Sequence, residues 1–161
     1  MRAEVSTRAA AIAQMADVMR DFMAMAVLFQ DAVARSAGLN STDLQTVSLL
    51  LSEGPATPGE LAQRTGLTAG GAITAVIDRL EKAGYVSRER DQDDRRRVIV
   101  SANFPRVAEQ VGPIYQRVGN RWAAYLDTLT DEQIDFANQL LTKAADVNRE
   151  EITQLRGTGP A

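Results

Sequence analysis

Apolar residues near the start of the chain recur at alternating steps of three and four. They are Ile12, Met15, Met19, Phe22, Ala26, Phe29 and Val33. This spacing places them on one helical face and predicts a long helix over residues 3–36, which Gly38 ends. A second stripe follows another face through Val18, Met25, Leu28 and Ala32. A helix that is apolar on two sides is packed on two sides, which in a chain of this size indicates a partner subunit.

Capping signals in the middle of the chain predict a helix-turn-helix. Thr57 and Glu60 have the spacing of a capping box at the start of a helix over 57–65. After a turn at Gly66, Thr68 can cap a second helix that runs to Ala83. Two helices joined by so short a turn form this motif.

Beyond Gly84 the spacing of apolar residues changes from a helical period to a period of two. Residues 85–90 and 97–101 are predicted to be strands, and the charged stretch 91–96 is predicted to be the turn between them. A β-hairpin that directly follows a helix-turn-helix is a wing.

Other helices flank this unit. Asn40 or Ser41 can cap a helix over 41–53, and a later helix runs from 104 to about 128, with a kink expected at Gly112-Pro113. A last helix begins after a capping box at Thr130. The predicted fold class is mainly α with a small β-hairpin wing.

The predicted organisation has a DNA-binding part and a dimerisation part. The winged helix-turn-helix spans 41–102, the terminal segments 1–40 and 103–156 form a helical dimerisation region, and 157–161 is expected to be a disordered tail. One chain of 161 residues cannot cover the apolar stripes of both its first and its last helix, so we expect a homodimer. Its expected interface residues are Ile12, Met15, Phe22, Ile134, Leu141, Ile152 and Leu155.

Composition excludes several classes of function. The chain has no cysteine and no histidine, which removes thiol nucleophiles, zinc fingers and Ser-His-Asp catalysis. We therefore expect no enzyme activity, no cofactor and no metal site. The longest apolar stretch, Met23 to Phe29, is far short of the ~20 residues that cross a membrane. With no signal peptide recognised, we expect a cytoplasmic protein without membrane contact.

The distribution of charge indicates nucleic acid as a partner. The net charge is −3, yet five arginines fall within the ten residues from Arg88 to Arg97. Because phosphate attraction is local and screened beyond ~10 Å, a basic element on an acidic body suits a sequence-specific DNA binder.

Four segments carry a resemblance to a known family. They are Thr57-Pro58-Gly59-Glu60-Leu61-Ala62, Gly66-Leu67-Thr68, Ile77-Asp78-Arg79-Leu80-Glu81-Lys82-Ala83-Gly84-Tyr85-Val86 and Asp94-Arg95-Arg96. In this order and spacing the chain resembles a MarR-type (multiple antibiotic resistance regulator) winged helix-turn-helix repressor. The resemblance implies a homodimer, a palindromic operator in double-stranded DNA, and release by a small-molecule effector.

Candidate DNA contacts lie on the second motif helix and on the wing. The helix candidates are Thr68, Ala69, Gly70, Gly71, Thr74, Ala75 and Arg79, and the wing candidates are Arg88, Asp94, Arg95, Arg96 and Arg97. Small residues and hydroxyls suit a helix that enters a ~12 Å major groove. The family resemblance implies that Asp94 orients Arg96 and that Arg96 enters the minor groove, whereas Ala75 stands where many members carry Arg. The alternatives are an ordinary amphipathic helix and a solvated, self-neutralised hairpin.

Methionines on the first helix indicate either a packed seam or a ligand pocket. The spacing favours the seam, whereas the adaptable shape of methionine suits a variable apolar or aromatic effector. The candidate pocket residues are Met15, Met19, Phe22, Met23, Tyr115 and Trp122. The favoured function is a ligand-released transcriptional regulator, and the alternative is a winged helix that binds proteins and not DNA.

Overall fold

A computed structural model describes residues 2–67 and 70–157 of the chain, with the side chains of 7–67, 70–155 and 157. The elements are α1 (Arg2–Ser36), α2 (Ser41–Glu53), α3 (Pro58–Thr65), α4 (Gly71–Lys82), β1 (Val86–Arg90), β2 (Val98–Ala102), α5 (Phe104–Gln110), α6 (Gly112–Leu126) and α7 (Asp131–Gly157). The predicted fold class, mainly α with a β-hairpin wing, is confirmed. The chain divides into one compact unit up to Val111 and a second from Gly112.

The core of the first unit lies where the motif helices meet α2 and the hairpin. Its buried apolar side chains include Leu44, Val47, Leu50, Leu61, Ile73, Val76, Ile77, Leu80, Tyr85 and Val100. The C-terminal end of α1 joins this core through Val33 and Ala34. The hydroxyl of Tyr85 donates a hydrogen bond of 2.8 Å to the carbonyl of Ala37, which fastens the end of α1 to the segment after α4.

The wing is anchored at its base by a third strand-like segment. Strands β1 and β2 pair antiparallel, with Arg88 opposite Val100. On its other side Val100 pairs with Ala56, through backbone hydrogen bonds of 2.8 and 3.1 Å. The hairpin is therefore fixed to the chain that leads into α3.

Local capping explains where several helices begin. Asn40 is the N-cap of α2: its side-chain oxygen accepts the backbone N–H of Asp43, and its own backbone N–H donates to the Asp43 carboxylate, which forms a capping box. Thr57 and Glu60 form the predicted capping box of α3, with Pro58 at the first helical position. In the second unit the backbone amide of Gln133 donates to the hydroxyl of Thr130, and the amide of Thr130 donates back to Gln133, as predicted for the start of α7.

The predicted start of the second motif helix is wrong. Helix α4 begins at Gly71, and its N-cap is Gly70, which makes no side-chain capping hydrogen bond. Gly70 has a φ of 109°, a backbone conformation that side chains with a Cβ rarely adopt. Thr68, the predicted cap, and Ala69 lie outside the described residues.

The helix predicted over 104–128 is interrupted and not merely kinked. It ends at Gln110 and a new helix begins at Gly112. Pro113 cannot donate a backbone hydrogen bond, and its ring clashes with the carbonyl four residues earlier in a continuous helix, so the chain restarts with Pro113 in a first turn. The predicted tail also starts too early, because Gly157 is the last residue of α7. The rest of that tail, 158–161, lies outside the described residues.

Candidate nucleic-acid interface

The outer face of α4 carries only small side chains near its start. Gly71, Thr74 and Ala75 are exposed, while Ile73 and Val76 face the core. The hydroxyl of Thr74 donates to the carbonyl of Gly70 at 2.9 Å. Apart from its chain neighbours and the backbone of its own helix, no described atom lies within 4 Å of a Cβ placed on Gly71, so packing among the described residues does not require this glycine. Because these side chains are small, another molecule can approach the α4 backbone closely on this face.

Two aspartates shape the tip of the wing through the backbone. The carboxylate of Asp94 accepts the N–H of Arg96 at 3.0 Å, and its carbonyl accepts the N–H of Arg97 at 2.9 Å. The carboxylate of Asp91 accepts the N–H of Asp93 at 2.9 Å. Asp94 therefore fixes the backbone of Arg96 in the turn, and it makes no hydrogen bond to the Arg96 guanidinium group among the described contacts.

The wing arginines differ in what their guanidinium groups contact. Arg90 donates to the carbonyl of Arg95 at 2.8 Å, and Arg97 lies 3.8 Å from Glu60 and 4.0 Å from Asp91. The guanidinium groups of Arg95 and Arg96 make no hydrogen bond or ion pair with any described residue, and both side chains are exposed. Arg95 and Arg96 are the wing cations that are available to an outside anion.

Arg79, predicted as a DNA contact, is held by α2. Its Nη2 donates to Oδ1 of Asp43 at 2.7 Å and its Nε to Oδ2 at 3.3 Å. The Asp43 side chain is only 4% exposed. The hydrogen bond to Asp43 raises the pKa of Arg79 above its ordinary value. The sequence analysis missed this pair, because the two residues lie 36 positions apart and no local pattern links them.

Arg88 is also occupied within the protein. From the middle of β1 its Nη2 donates to Asp78 at 2.5 Å and its Nη1 to Glu81, both on α4. Burial acts to lower the pKa of Arg88, but the hydrogen bonds to Asp78 and Glu81 and the attraction of their negative charges together outweigh it, so the pKa is raised. These two ion pairs of Arg88 join the base of the wing to α4.

The capping box at the start of α3 adds a further anionic group near the wing. The backbone amide of Thr57 donates to Glu60 at 2.7 Å, and its hydroxyl donates at 2.9 Å. These hydrogen bonds, with weaker attraction from Arg97 and Arg64, lower the pKa of Glu60 below its ordinary value. Glu60 is therefore a carboxylate at neutral pH and attracts Arg97.

The expected dimerisation and pocket residues lie mainly on exposed faces. Those exposed are Ile12, Met15, Phe22, Met23, Tyr115, Trp122, Leu141, Ile152 and Leu155, whereas Met19 and Ile134 are half-buried. No helix in the described ranges combines the length and apolar character that a membrane crossing requires.

Two concave regions offer room for a small molecule. On α6, a cavity of about 580 Å³ is lined by Val118, Arg121, Trp122 and Tyr125. The rings of Trp122 and Tyr125 meet edge to face at 6.1 Å. Between α1 and α2, a groove of about 420 Å³ is lined by Ala26, Val27, Gln30, Ser41, Leu44, Gln45 and Ser48. Of the predicted pocket residues, Trp122 lines the α6 cavity and none lines the groove.

Comparison with known proteins agrees with this architecture. The model of the MarR family matches residues 37–97. The uncharacterised HTH-type transcriptional regulator YcgE of Bacillus subtilis is 39% identical over 133 residues, which cover 81% of this chain and 83% of YcgE.

Two solved structures share the fold at lower identity. FabT of Streptococcus pneumoniae, in complex with DNA, has a TM-score of 0.66 and 17% identity, with 86% of this chain and 98% of FabT covered. NadR in complex with 4-hydroxyphenylacetate has a TM-score of 0.55 and 23% identity, with 80% and 89% covered. Together with the family match and the YcgE identity, the winged helix-turn-helix assigns this chain to the MarR family of transcriptional regulators.

Proposed function

We propose that this regulator is a homodimeric repressor that binds a palindromic operator and is released by a small apolar or aromatic effector. The observation that supports a DNA-binding surface is that the guanidinium groups of Arg95 and Arg96 have no partner among the described residues. They lie on a wing that is joined by ion pairs to α4, whose outer face carries small side chains. Arginine in that state is available for phosphate or for a groove edge.

The DNA contacts divide by role. In this proposal Gly71, Thr74 and Ala75 bring α4 close to base edges in the major groove, and Thr68 and Ala69, which precede them in the sequence, are further candidate contacts. Arg96 enters the minor groove, while Arg95 and Arg97 contact phosphates. The fold of FabT, which has been solved with DNA, supports this use of the architecture.

A homodimer accounts for the apolar faces that one chain leaves exposed. Ile12 is 60% exposed and Phe22 52% on α1, and Leu155 is 70% exposed on α7. Large exposed apolar side chains repeated along helices are typical of an interface with a partner. A symmetric dimer presents two copies of α4, which fits two half-sites of a palindrome.

An aromatic effector fits the composition of the α6 cavity. Trp122 and Tyr125 offer ring surfaces, and Arg121 can pair with a single carboxylate. NadR, which has a similar fold, has been solved with an aromatic acid. An effector releases DNA only if it binds one arrangement of the dimer more tightly than the other.

DNA binding is tested by selecting duplexes from a random-sequence library and titrating the enriched duplex at several salt concentrations. We expect enrichment of a palindrome, and an affinity that falls steeply with salt because counterions are released from phosphate. A variant with Arg95→Gln and Arg96→Gln should bind more weakly with a smaller salt slope. If no duplex is enriched, the alternative of a protein-binding winged helix is favoured. As a regulator of genomic DNA, the protein is expected to act in the cytoplasm.

The effector is tested by screening aromatic acids and planar apolar compounds for release of the selected duplex. We expect a compound that releases DNA to quench the fluorescence of Trp122, the one tryptophan of the chain. Trp122→Leu should weaken the release of DNA by that compound, while the DNA affinity measured without the compound stays close to wild type. Release by a sugar phosphate alone would contradict the proposal.

A further inference from the structure

Arg88 occupies a position on β1 where strand alternation places an inward side chain. Val86, two residues earlier on the same face, is buried, while Ser87 and Glu89 on the opposite face are exposed. The Arg88 side chain is only 24% exposed. An arginine facing inward in this strand therefore serves contacts within the protein.

The guanidinium group of Arg88 spans one turn of α4. Nη2 contacts Asp78 at 2.5 Å and Nη1 contacts Glu81, so both terminal nitrogens of the guanidinium group have a carboxylate partner. Asp78 lies three and four residues after Ala75 and Thr74, and thus on the same helical face as those small residues. Its side chain is 61% exposed. A carboxylate therefore stands beside the face that we assign to the major groove.

Two uncompensated carboxylates at this place would repel phosphate. Arg88 neutralises one of their two negative charges and also connects β1 with α4. We propose that Arg88 is a positioning residue that shields Asp78 and Glu81 from DNA phosphates and fixes the base of the wing against α4. This inference rests on the proposed DNA binding, and it gives Arg88 a role other than the direct phosphate contact expected from sequence.

The two roles predict opposite behaviour in a double-mutant cycle. If Arg88 shields the carboxylates, Arg88→Gln should weaken binding of the selected duplex roughly three- to tenfold in the wild-type background. In a background with Asp78→Asn and Glu81→Gln, the same substitution should change affinity by less than about twofold, because no carboxylate is left to shield. That background alone should bind the duplex at least as tightly as wild type, because the side-chain carbonyls of Asn and Gln can still accept hydrogen bonds from Arg88 while two negative charges are removed.

Lys82→Gln is the matched control, since it removes one positive charge from α4 at a side chain that makes no ion pair among the described residues. Its effect on affinity should be the same in both backgrounds. Thermal unfolding of each variant checks that the fold is retained.

Three results would overturn the inference, and they differ from failure of the proposed function. An equal or larger loss for Arg88→Gln in the neutral background would show direct phosphate contact. No loss in the wild-type background would show that the two ion pairs of Arg88 do not serve DNA binding. If the wild-type protein enriches no duplex at all, DNA binding itself fails and the shielding role fails with it.

Discussion

Four arginines of α4 and the wing fall into two groups according to the partners of their guanidinium groups. Arg79 and Arg88 are bound by carboxylates of the protein, whereas Arg95 and Arg96 are open to solvent. An occupied arginine orders the framework, and an open one can exchange water for a phosphate or a base edge. Substitutions in the two groups should therefore alter different measured quantities.

Arg96→Ala should reduce DNA affinity with almost no effect on folding. The side chain has no partner among the described residues, so its removal leaves nothing unsatisfied. An arginine that reads a groove contributes ~1–3 kcal/mol to binding, which corresponds to roughly 5- to 150-fold in affinity. Titration of the selected duplex at physiological salt, together with thermal unfolding, measures both quantities.

Asp94→Ala should give a smaller loss of the same kind, because it frees the Arg96 backbone and leaves the guanidinium in place. The double variant should lose less than the sum of the two single losses. An unchanged affinity in Arg96→Ala, with the protein still dimeric, would identify the wing as a solvated hairpin.

Arg79→Ala should chiefly reduce stability. It leaves the buried carboxylate of Asp43 without its charged partner, a cost on the order of 1–3 kcal/mol in the free energy of unfolding. Urea unfolding measures this loss. Adding Asp43→Ala should recover part of it, because the stranded charge is then absent. Normal stability combined with weakened DNA binding would instead make Arg79 a direct DNA contact.

At the scale of elements, the sequence predicts what local chemistry controls. The starts of α3 and α7 follow from capping boxes, in which the hydrogen-bonding partners lie three residues apart. For α2 the sequence offers two caps, Asn40 and Ser41, and the structure uses Asn40. The start of α4 does not follow, because Thr68 has the chemistry of a cap, while the positive φ that lets Gly70 take that position is not visible in the sequence.

The sequence predicts which residues carry charge at the candidate site, but not which residues they contact. The basic stretch from Arg88 to Arg97 marks the wing in the sequence alone. The Asp43–Arg79 pair joins residues 36 positions apart, and only the packing of α4 on α2 brings them together. Periodicity shows which face a residue occupies on its own element, and it carries no information on which charge faces it from another.

Gly70 and Gly71 should respond differently to alanine, although they are neighbours. Gly70→Ala forces a Cβ into a positive φ and should cost about 1–3 kcal/mol of stability. Gly71→Ala lies in ordinary helix with open space around it, so it should be neutral or stabilise by up to about 1 kcal/mol.

The methyl group that Gly71→Ala adds should weaken binding of the selected duplex if α4 approaches DNA closely, since this group would occupy space between the helix and the DNA. Urea unfolding and duplex titration separate the two effects. A Gly71→Ala protein that binds as tightly as wild type would show that α4 keeps its distance from DNA at this residue.

At the scale of the whole molecule, the proposed dimer accounts for what the first unit leaves unpacked. Among the described side chains of α1, the buried ones lie at its C-terminal end, at Val33 and Ala34, while the heptad residues before them stay largely exposed. An exposed 3-4 repeat of this length is stabilised when another helix covers it. Folding and association should therefore be linked.

We expect a dimer at micromolar concentration and a melting temperature that rises with protein concentration, because association stabilises the folded state by mass action. Phe22→Glu places a charge in the α1 seam and should shift the protein toward monomer, with loss of affinity for a palindromic duplex whose half-sites are ~10 bp apart. Gln14→Glu, which adds the same charge at an exposed polar position of α1, should leave both properties unchanged. Sedimentation gives the mass of each variant. A stable, folded wild-type monomer at micromolar concentration would contradict the dimer, and with it the two-fold match to a palindrome.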